Sequence, residues 1–559
     1  MSKRKAQTPC WFAIALTVAL GFALANAQES AALSGRVTSA EEGAMEGVLV
    51  SAQQSGSPIT VTVVTDESGS YRFPAARLAP GSYALRIRAT GYELDGAGAG
   101  AAEVAAGRTA TADLRLRKAH DLAAQLTSTE WLISMPGTAE QKRPLIECMS
   151  CHTVERIVRS KLRAPELAAV LKRMQNYANN STVQHPQKRV VERELSDKRA
   201  REVADYLETI NLSAGETSSA GAAWSYPLQT LPRPRGRATR VIITEYALPR
   251  PTIAPHDVRP DQQGFVWYSN FVEPYLGRID ARTGAHSEFR YELPKPNAPA
   301  GALALEPDQD GNWWLSMMFQ SGLVRFDPRT QQFRHFPIPP DLMSDATQQS
   351  LVMPARAKVD GKVWTNDVDT RTIMRLDLAT GAYERIDPFR GMPKGRQHSP
   401  YGLAADPANN LYFMDFGDES VGRVDAKTLR TTLYPTPTPA SRPRRTMLDP
   451  KGRLWFAEFA ANKVAMFDTD KESFTEWDVP TPHTYPYDVF LDRNGELWSG
   501  TMSSDRVLRF DPASGTSTEY LLPHQTNIRR VFVDDSTTPV TFWTGNNHHA
   551  TIIKLEPLD

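Results

Sequence analysis

The sequence predicts a multidomain, mainly β protein: an N-terminal β-sandwich, a small all-α domain and a C-terminal seven-bladed β-propeller. Three observations predict it. Residues 33–116 hold short runs of alternating polar and apolar residues, separated by turn clusters such as Asp66-Glu67-Ser68-Gly69 and Ala79-Pro80-Gly81. A helical apolar period then takes over near 122–135 and returns at 167–177 and 200–210. Last, a strand-like run carrying one aromatic recurs at Trp267, Trp314, Trp364, Tyr412, Trp455, Trp498 and Trp543, at spacings of 47, 50, 48, 43, 43 and 45 residues. Such a period, with several short strands per unit, describes propeller blades, and seven aromatics imply seven of them.

At the start of the chain, Lys3, Arg4 and Lys5 precede an apolar run from Trp11 to Leu24, and Ala25-Asn26-Ala27 offers small residues suited to signal-peptidase cleavage. Residues 1–27 therefore read as a signal peptide, and the mature chain is expected in the periplasm or secreted. The run falls short of the ~20 apolar residues that spanning needs, so no stable membrane span is expected after cleavage. Lys+Arg and Asp+Glu balance at 64 each, which argues against a nucleic-acid partner. Of three cysteines, cleavage removes Cys10 and leaves Cys148 and Cys151.

Residues 28–118 form the expected sandwich. Ser34-Gly35-Arg36-Val37, Gly47-Val48-Leu49-Val50, Thr65-Asp66, Gly69-Ser70-Tyr71, Pro80-Gly81-Ser82-Tyr83 and Gly91-Tyr92 occur in an order that resembles the carboxypeptidase regulatory-like domain. That resemblance implies a spacer or docking module without catalytic residues.

Residues 119–215 carry Glu147-Cys148-Met149-Ser150-Cys151-His152-Thr153. A disulfide between the two cysteines would close a strained loop, a zinc site would need further ligands, and a thioredoxin-like motif would need a βαβ setting. The haem reading uses every residue: Cys148 and Cys151 bond the two vinyl groups of one haem c, and His152 ligates its iron. With Val203-Ala204-Asp205-Tyr206-Leu207 near the end, the segment resembles class I c-type cytochromes, which implies a small all-α cytochrome c domain. Two residues compete for the distal axial position. Met174 lies 22 residues after His152 on an apolar helix face, and His185 stands in the loop before the closing helix.

Residues 216–240, rich in Ser, Ala, Gly and Pro, read as a linker into the propeller at 241–559. Thr244-Glu245-Tyr246-Ala247-Leu248-Pro249 nearly copies Thr518-Glu519-Tyr520-Leu521-Leu522-Pro523, so the front copy is expected to complete the last blade and join the ends of the ring. Pro255-His256-Asp257-Val258 leading to Trp267, Ser399-Pro400-Tyr401-Gly402-Leu403 leading to Tyr412, and Leu454-Trp455-Phe456-Ala457-Glu458 resemble the streptogramin B (virginiamycin B) lyase group. That family uses a histidine base and two glutamates on magnesium. His256 matches the histidine position, but Ala254 and Asn270 stand at the glutamate positions, and Glu458 is matched with Arg444 and Arg442, so no blade holds the whole set.

The catalytic candidates are His256, Glu458 and Asp415, the acids facing arginines and aromatics at one mouth of the ring. His548-His549 reads as a solvated turn. The function expected is exported haem c electron transfer, the propeller mouth binding a redox partner protein or small-molecule substrate. The alternatives are a streptogramin-lyase-like C–O lyase and a non-catalytic ligand- or carbohydrate-binding scaffold. Any enzyme activity is expected in an oxidoreductase subunit rather than a lyase.

Overall fold

The computed structural model describes residues 31–96, 100–215, 224–393 and 397–559. The expected signal peptide lies outside the described residues. No helix among the described residues is long and apolar enough to cross a membrane.

The N-terminal unit is sandwich-like. Ala31–Ser39 pairs with Ser70–Pro74 and Leu114–Lys118, while Leu49–Gln54 pairs with Ile59–Val64 and Gly81–Arg88. Alternation places Leu33, Val50, Val61, Tyr71, Phe73 and Leu85 in one core between the layers.

Seven four-stranded antiparallel blades follow, six of them built from consecutive strands. The seventh takes Val531–Asp534, Thr541–Asn546 and Thr551–Pro557 from the end of the chain and Val241–Ala247 from before the first blade. Thr244 lies opposite Lys554, so the repeated TEY segment closes the ring. The same strand pairs on its other edge with Ile59–Val64, which makes one eight-stranded sheet of blade and sandwich.

The aromatic repeat is explained by an aspartate six residues ahead. Asp261, Asp308, Asp449 and Asp492 each accept the indole N–H of the tryptophan six residues later, at 2.8, 2.9, 3.0 and 2.9 Å. The other carboxylate oxygen caps the turn, as Asp492 Oδ1 does by accepting the backbone N–H groups of Asn494 and Glu496. A glycine with φ near +80° stands in each of these turns, at Gly264, Gly311, Gly452 and Gly495, where a side chain would strain the backbone.

The expectation of a small all-α cytochrome c domain is corrected here. Helices α1 (Ser128–Ser134), α2 (Ala139–Cys148), α3 (Glu155–Val158), α4 (Ala164–Gln175) and α5 (Asp197–Ile210) do not enclose a core of their own. α5 buries Val203, Leu207 and Ile210, but α2 and α4 each bury a single hydrophobic residue, Leu145 and Leu167. Such helices cannot bury enough apolar surface alone. Instead Trp131, Leu145, Met149, Val154 and Leu207 share one continuous apolar cluster with Ala254, Phe271, Tyr401, Phe459, Tyr487 and Met502 of the propeller. The chain is thus mainly β, a sandwich and a propeller, with a helical cap seated on one mouth of the ring.

Cap and ring are also joined by polar contacts from four blades. Asn180 Nδ2 donates to the carbonyls of Phe271 and Ala300. Arg193 pairs with Asp369 at 3.0 Å, and Thr129 Oγ1 bonds Ser503 and the His483 carbonyl. The fourth set comes from blade seven and holds the cysteine motif. Residues 224–240 lie along the same seam: Trp224 packs on Trp131, Leu231 N–H donates to Glu130, and Arg506 donates to the Pro232 carbonyl.

Candidate functional site

The Cys148–His152 stretch begins where α2 ends. The N–H groups of Cys151 and His152 both point back to the Cys148 carbonyl, at 3.2 and 3.4 Å, so the chain makes one tight turn. A spacing of three residues brings the sulfurs near enough to act on one another's charge, and Cys148 Sγ–H donates to the Pro144 carbonyl at 3.4 Å. The thiols are free, not disulfide-bonded. Burial pushes Cys148 up to about 12 and raises Cys151, whose shift is opposed by the nearby guanidinium groups of Arg529 and Arg189.

His152 Nδ1–H donates to the Thr153 carbonyl at 2.9 Å. That bond fixes the tautomer and leaves the Nε2 lone pair for another partner, the arrangement metal-bound histidines use. Burial lowers the imidazole pKa and keeps it neutral.

Blade seven clamps this turn from outside. Asn527 Nδ2 donates to the Met149 carbonyl at 3.1 Å, and Arg529 donates to the Ser150 carbonyl at 2.7 Å. Arg529 is itself oriented by Asn527 Oδ1 at 2.9 Å and lies over the Phe271 ring. The two residues between the cysteines therefore have both their carbonyls held by the propeller. His548 lies beside the Met149 backbone, which approaches one ring nitrogen, and both ring nitrogens are buried without a well-formed hydrogen bond. This corrects the solvated-turn reading for His548, although His549 is exposed and stacks on His524.

The two distal-ligand candidates sit differently. Met174 on α4 is 39 % exposed, and it shares the segment 174–191 with exposed Val183, Val190 and Val191. His185 is half-buried in a turn whose backbone pairs with Thr182.

Deeper in the ring, His256 is fully buried and donates from Nδ1 to Asp257 at 2.7 Å, while its Nε2 faces the Tyr487 hydroxyl at 3.4 Å. Tyr487 and Tyr401 share a 2.5 Å hydroxyl contact, and Arg445 pairs with Asp257 at 3.2 Å. Arg444 stacks over Tyr487, Phe416 and Phe459 at 3.9, 4.4 and 4.4 Å. The mouth does gather His256, tyrosines and arginines, as the repeat register suggests. They bond to one another beneath the cap, and burial drives His256 down to about 3, which leaves it a poor base toward a substrate.

Asp415 and Glu458 are not part of that network. Asp415 accepts His398 Nδ1 at 2.6 Å and the Ser399 N–H at 2.7 Å, and with Asp418 it forms a local His-Asp-Asp group. Glu458 is fully buried with neither oxygen in a well-formed hydrogen bond, although Ser441 and Glu476 approach it, and burial pushes it up to about 8. The incomplete metal-and-base set therefore stays incomplete in space.

Comparison with known families finds two matches. The carboxypeptidase regulatory-like domain matches residues 32–117, and the virginiamycin B lyase family matches residues 391–557. The propeller is similar in sequence to these lyases. Neither match reaches the helical cap. Among solved structures, a streptogramin B lyase aligns at 22% identity with a TM-score of 0.50, covering 58% of this chain and 99% of that one. A selenomethionine virginiamycin B lyase from Staphylococcus aureus aligns at 20% identity and a TM-score of 0.48, covering 56% and 99%. Comparison with curated protein sequences returns no match.

Proposed function

We propose that the propeller is a non-catalytic scaffold whose mouth holds its own haem-bearing cap, and that the chain is an exported one-electron carrier serving a redox partner protein. The observation that carries this reading is the clamped turn. Cys148 and Cys151 are neighbouring free thiols, His152 has its Nε2 lone pair available, and Asn527 and Arg529 fix the carbonyls between them.

The residues present fit haem c. Cys148 and Cys151 would hold the group through two thioethers, each S–H adding across one vinyl C=C, sulfur to one carbon and hydrogen to the other, with no oxidant and no leaving group. Once bound, haem supplies a ferric/ferrous couple. Exposed Met174, Val183, Val190 and Val191 offer apolar contact to a large flat group. The propeller's part is to exclude water from the turn and hold its backbone through Asn527 and Arg529, while the Thr153 carbonyl holds the imidazole in one tautomer. Because covalent haem attachment occurs outside the cytoplasm, the reading requires an exported chain.

The test is maturation of the full chain in a periplasm equipped for haem attachment. The expected product keeps one haem mass after denaturation, shows a Soret band that shifts with dithionite, and loses both in the Cys148→Ala/Cys151→Ala protein. A matured chain without porphyrin overturns the proposal.

A second reading, a scaffold for a polar ligand such as a carbohydrate, is favoured by a groove of about 700 Å³ where sandwich meets propeller, lined by Gln53, Gln54, Ser57, Tyr83 and Pro249. Glycan binding that survives the double cysteine substitution and is lost in Gln53→Ala would favour it.

A further inference from the structure

His548 is the buried group beside the cysteine turn that no role above uses. It follows the strand Thr541–Asn546 of blade seven, and its backbone N–H donates to Asn546 Oδ1 at 3.1 Å, which fixes the turn that presents it. The residue keeps partial exposure, yet both ring nitrogens are buried and neither makes a well-formed hydrogen bond; the Met149 carbonyl approaches one of them and leaves the other without a partner. A buried ring nitrogen without a partner is disfavoured unless something else satisfies it. Its surroundings say what that would be: the Met149 backbone adjoins it, and His152 and Arg529 are close enough to act on its charge. Blade seven thus supplies the two groups that clamp the turn, Asn527 and Arg529, and an imidazole beside the Met149 backbone of the same turn.

We propose that His548 is the second axial ligand of the iron held by Cys148, Cys151 and His152, in place of Met174 or His185. The assignment rests on the haem reading above. Neutral imidazole with a free ring nitrogen is a strong iron ligand, and two histidines set a lower potential than histidine with methionine. It also has a structural consequence. His152 belongs to the cap and His548 to the propeller, so iron held by both would add a second tie between two parts joined otherwise by the 216–240 segment and the packed seam. Met174, exposed on α4, contributes apolar surface rather than a ligand.

The experiment compares matured full-length protein with His548→Ala, His548→Met, Met174→Ala and His185→Ala, read by ferric and ferrous absorption, electron paramagnetic resonance and redox titration. The expected wild-type spectrum is six-coordinate and low-spin, without a sulfur-to-iron charge-transfer band. His548→Ala loses the low-spin signal and recovers it on adding imidazole. His548→Met keeps six-coordination, gains the sulfur band and moves to higher potential, which also shows that the site still folds. Met174→Ala and His185→Ala leave the spectrum unchanged. Haem present with an unaltered His548→Ala spectrum overturns this assignment alone, as does a sulfur band that vanishes in Met174→Ala. Absence of haem from the matured protein overturns the attachment reading and the assignment together.

Discussion

Glu458 shows how far a single buried carboxyl can govern the pH response of the ring. It is fully buried, its oxygens lack well-formed partners, and burial followed by the neighbouring Glu476 charge pushes it up to about 8 from 4.5. In the unfolded chain the same group titrates near 4.5. The folded state therefore holds a proton that the unfolded state has released, and its stabilising effect is present in full below the unfolded value. That effect is lost as pH rises through the folded value. Replacing Glu458 by Gln removes the ionisable group and keeps the shape. The variant is expected to match wild type near pH 5 and to exceed it by about 2–4 kcal/mol at pH 9. Thermal melts at the two pH values check this, and a constant difference between them would show that Glu458 is not the group responsible. Arg529 belongs to the same scale. Its charge-assisted bond to the Ser150 carbonyl is buried, so Arg529→Ala is expected to cost about 2 kcal/mol and to speed amide exchange in residues 149–152 before the rest of the cap. Uniform exchange across the cap would mean that the bond does not order the turn.

At the scale of the element, the blades were legible and the cap was not, for one physical reason. A blade announces itself through local chemistry: Asp492 caps its own turn and binds the indole of Trp498 six residues on, so the pattern repeats wherever the turn does. α5 was legible too, because Ala200, Val203, Ala204, Leu207 and Ile210 all face inward at helical spacing. On α4 the same periodicity misled, since Val170 and Met174 lie on the apolar row and yet Leu167 is its only buried hydrophobic residue. What decides the fate of that segment is its partner, and the partner is remote. Arg529 and Ser150 stand 379 residues apart, and Thr129 and Ser503 stand 374 apart, so no local period reports the docking. His548 reads as part of a solvated turn for the same reason, since a His-His pair in a turn carries no sign of what folds over it. The local device gives a direct prediction. Asp492→Ala removes the acceptor of two backbone N–H groups and one indole N–H, and is expected to destabilise the ring by about 2–3 kcal/mol in urea unfolding. An equal loss in Trp498→Phe would place the effect in the indole bond rather than in the turn.

Across the whole molecule, one strand carries the joint between the units. Val241–Ala247 is paired along its full length with Thr551–Pro557 and, on its other edge, with Ile59–Val64. It closes the ring and continues the sheet into the sandwich, which leaves the seventh blade without a bare outer edge there. Burial agrees with this: Ile243 belongs to the blade-seven core with Leu555 and Val531, while Ile242 faces the sandwich core with Val63. Because both edges are occupied, a proline anywhere in the middle of the strand must break a ladder bond. Thr244→Pro is therefore expected to cost about 3 kcal/mol or more. The loss should appear as separate unfolding of sandwich and propeller where wild type unfolds together, with new proteolytic cleavage on either side of residues 241–247. Calorimetry distinguishes the outcomes: a single transition at an unchanged temperature would show that the ring closes without this strand, and that cap, propeller and sandwich are held together by the cap seam instead.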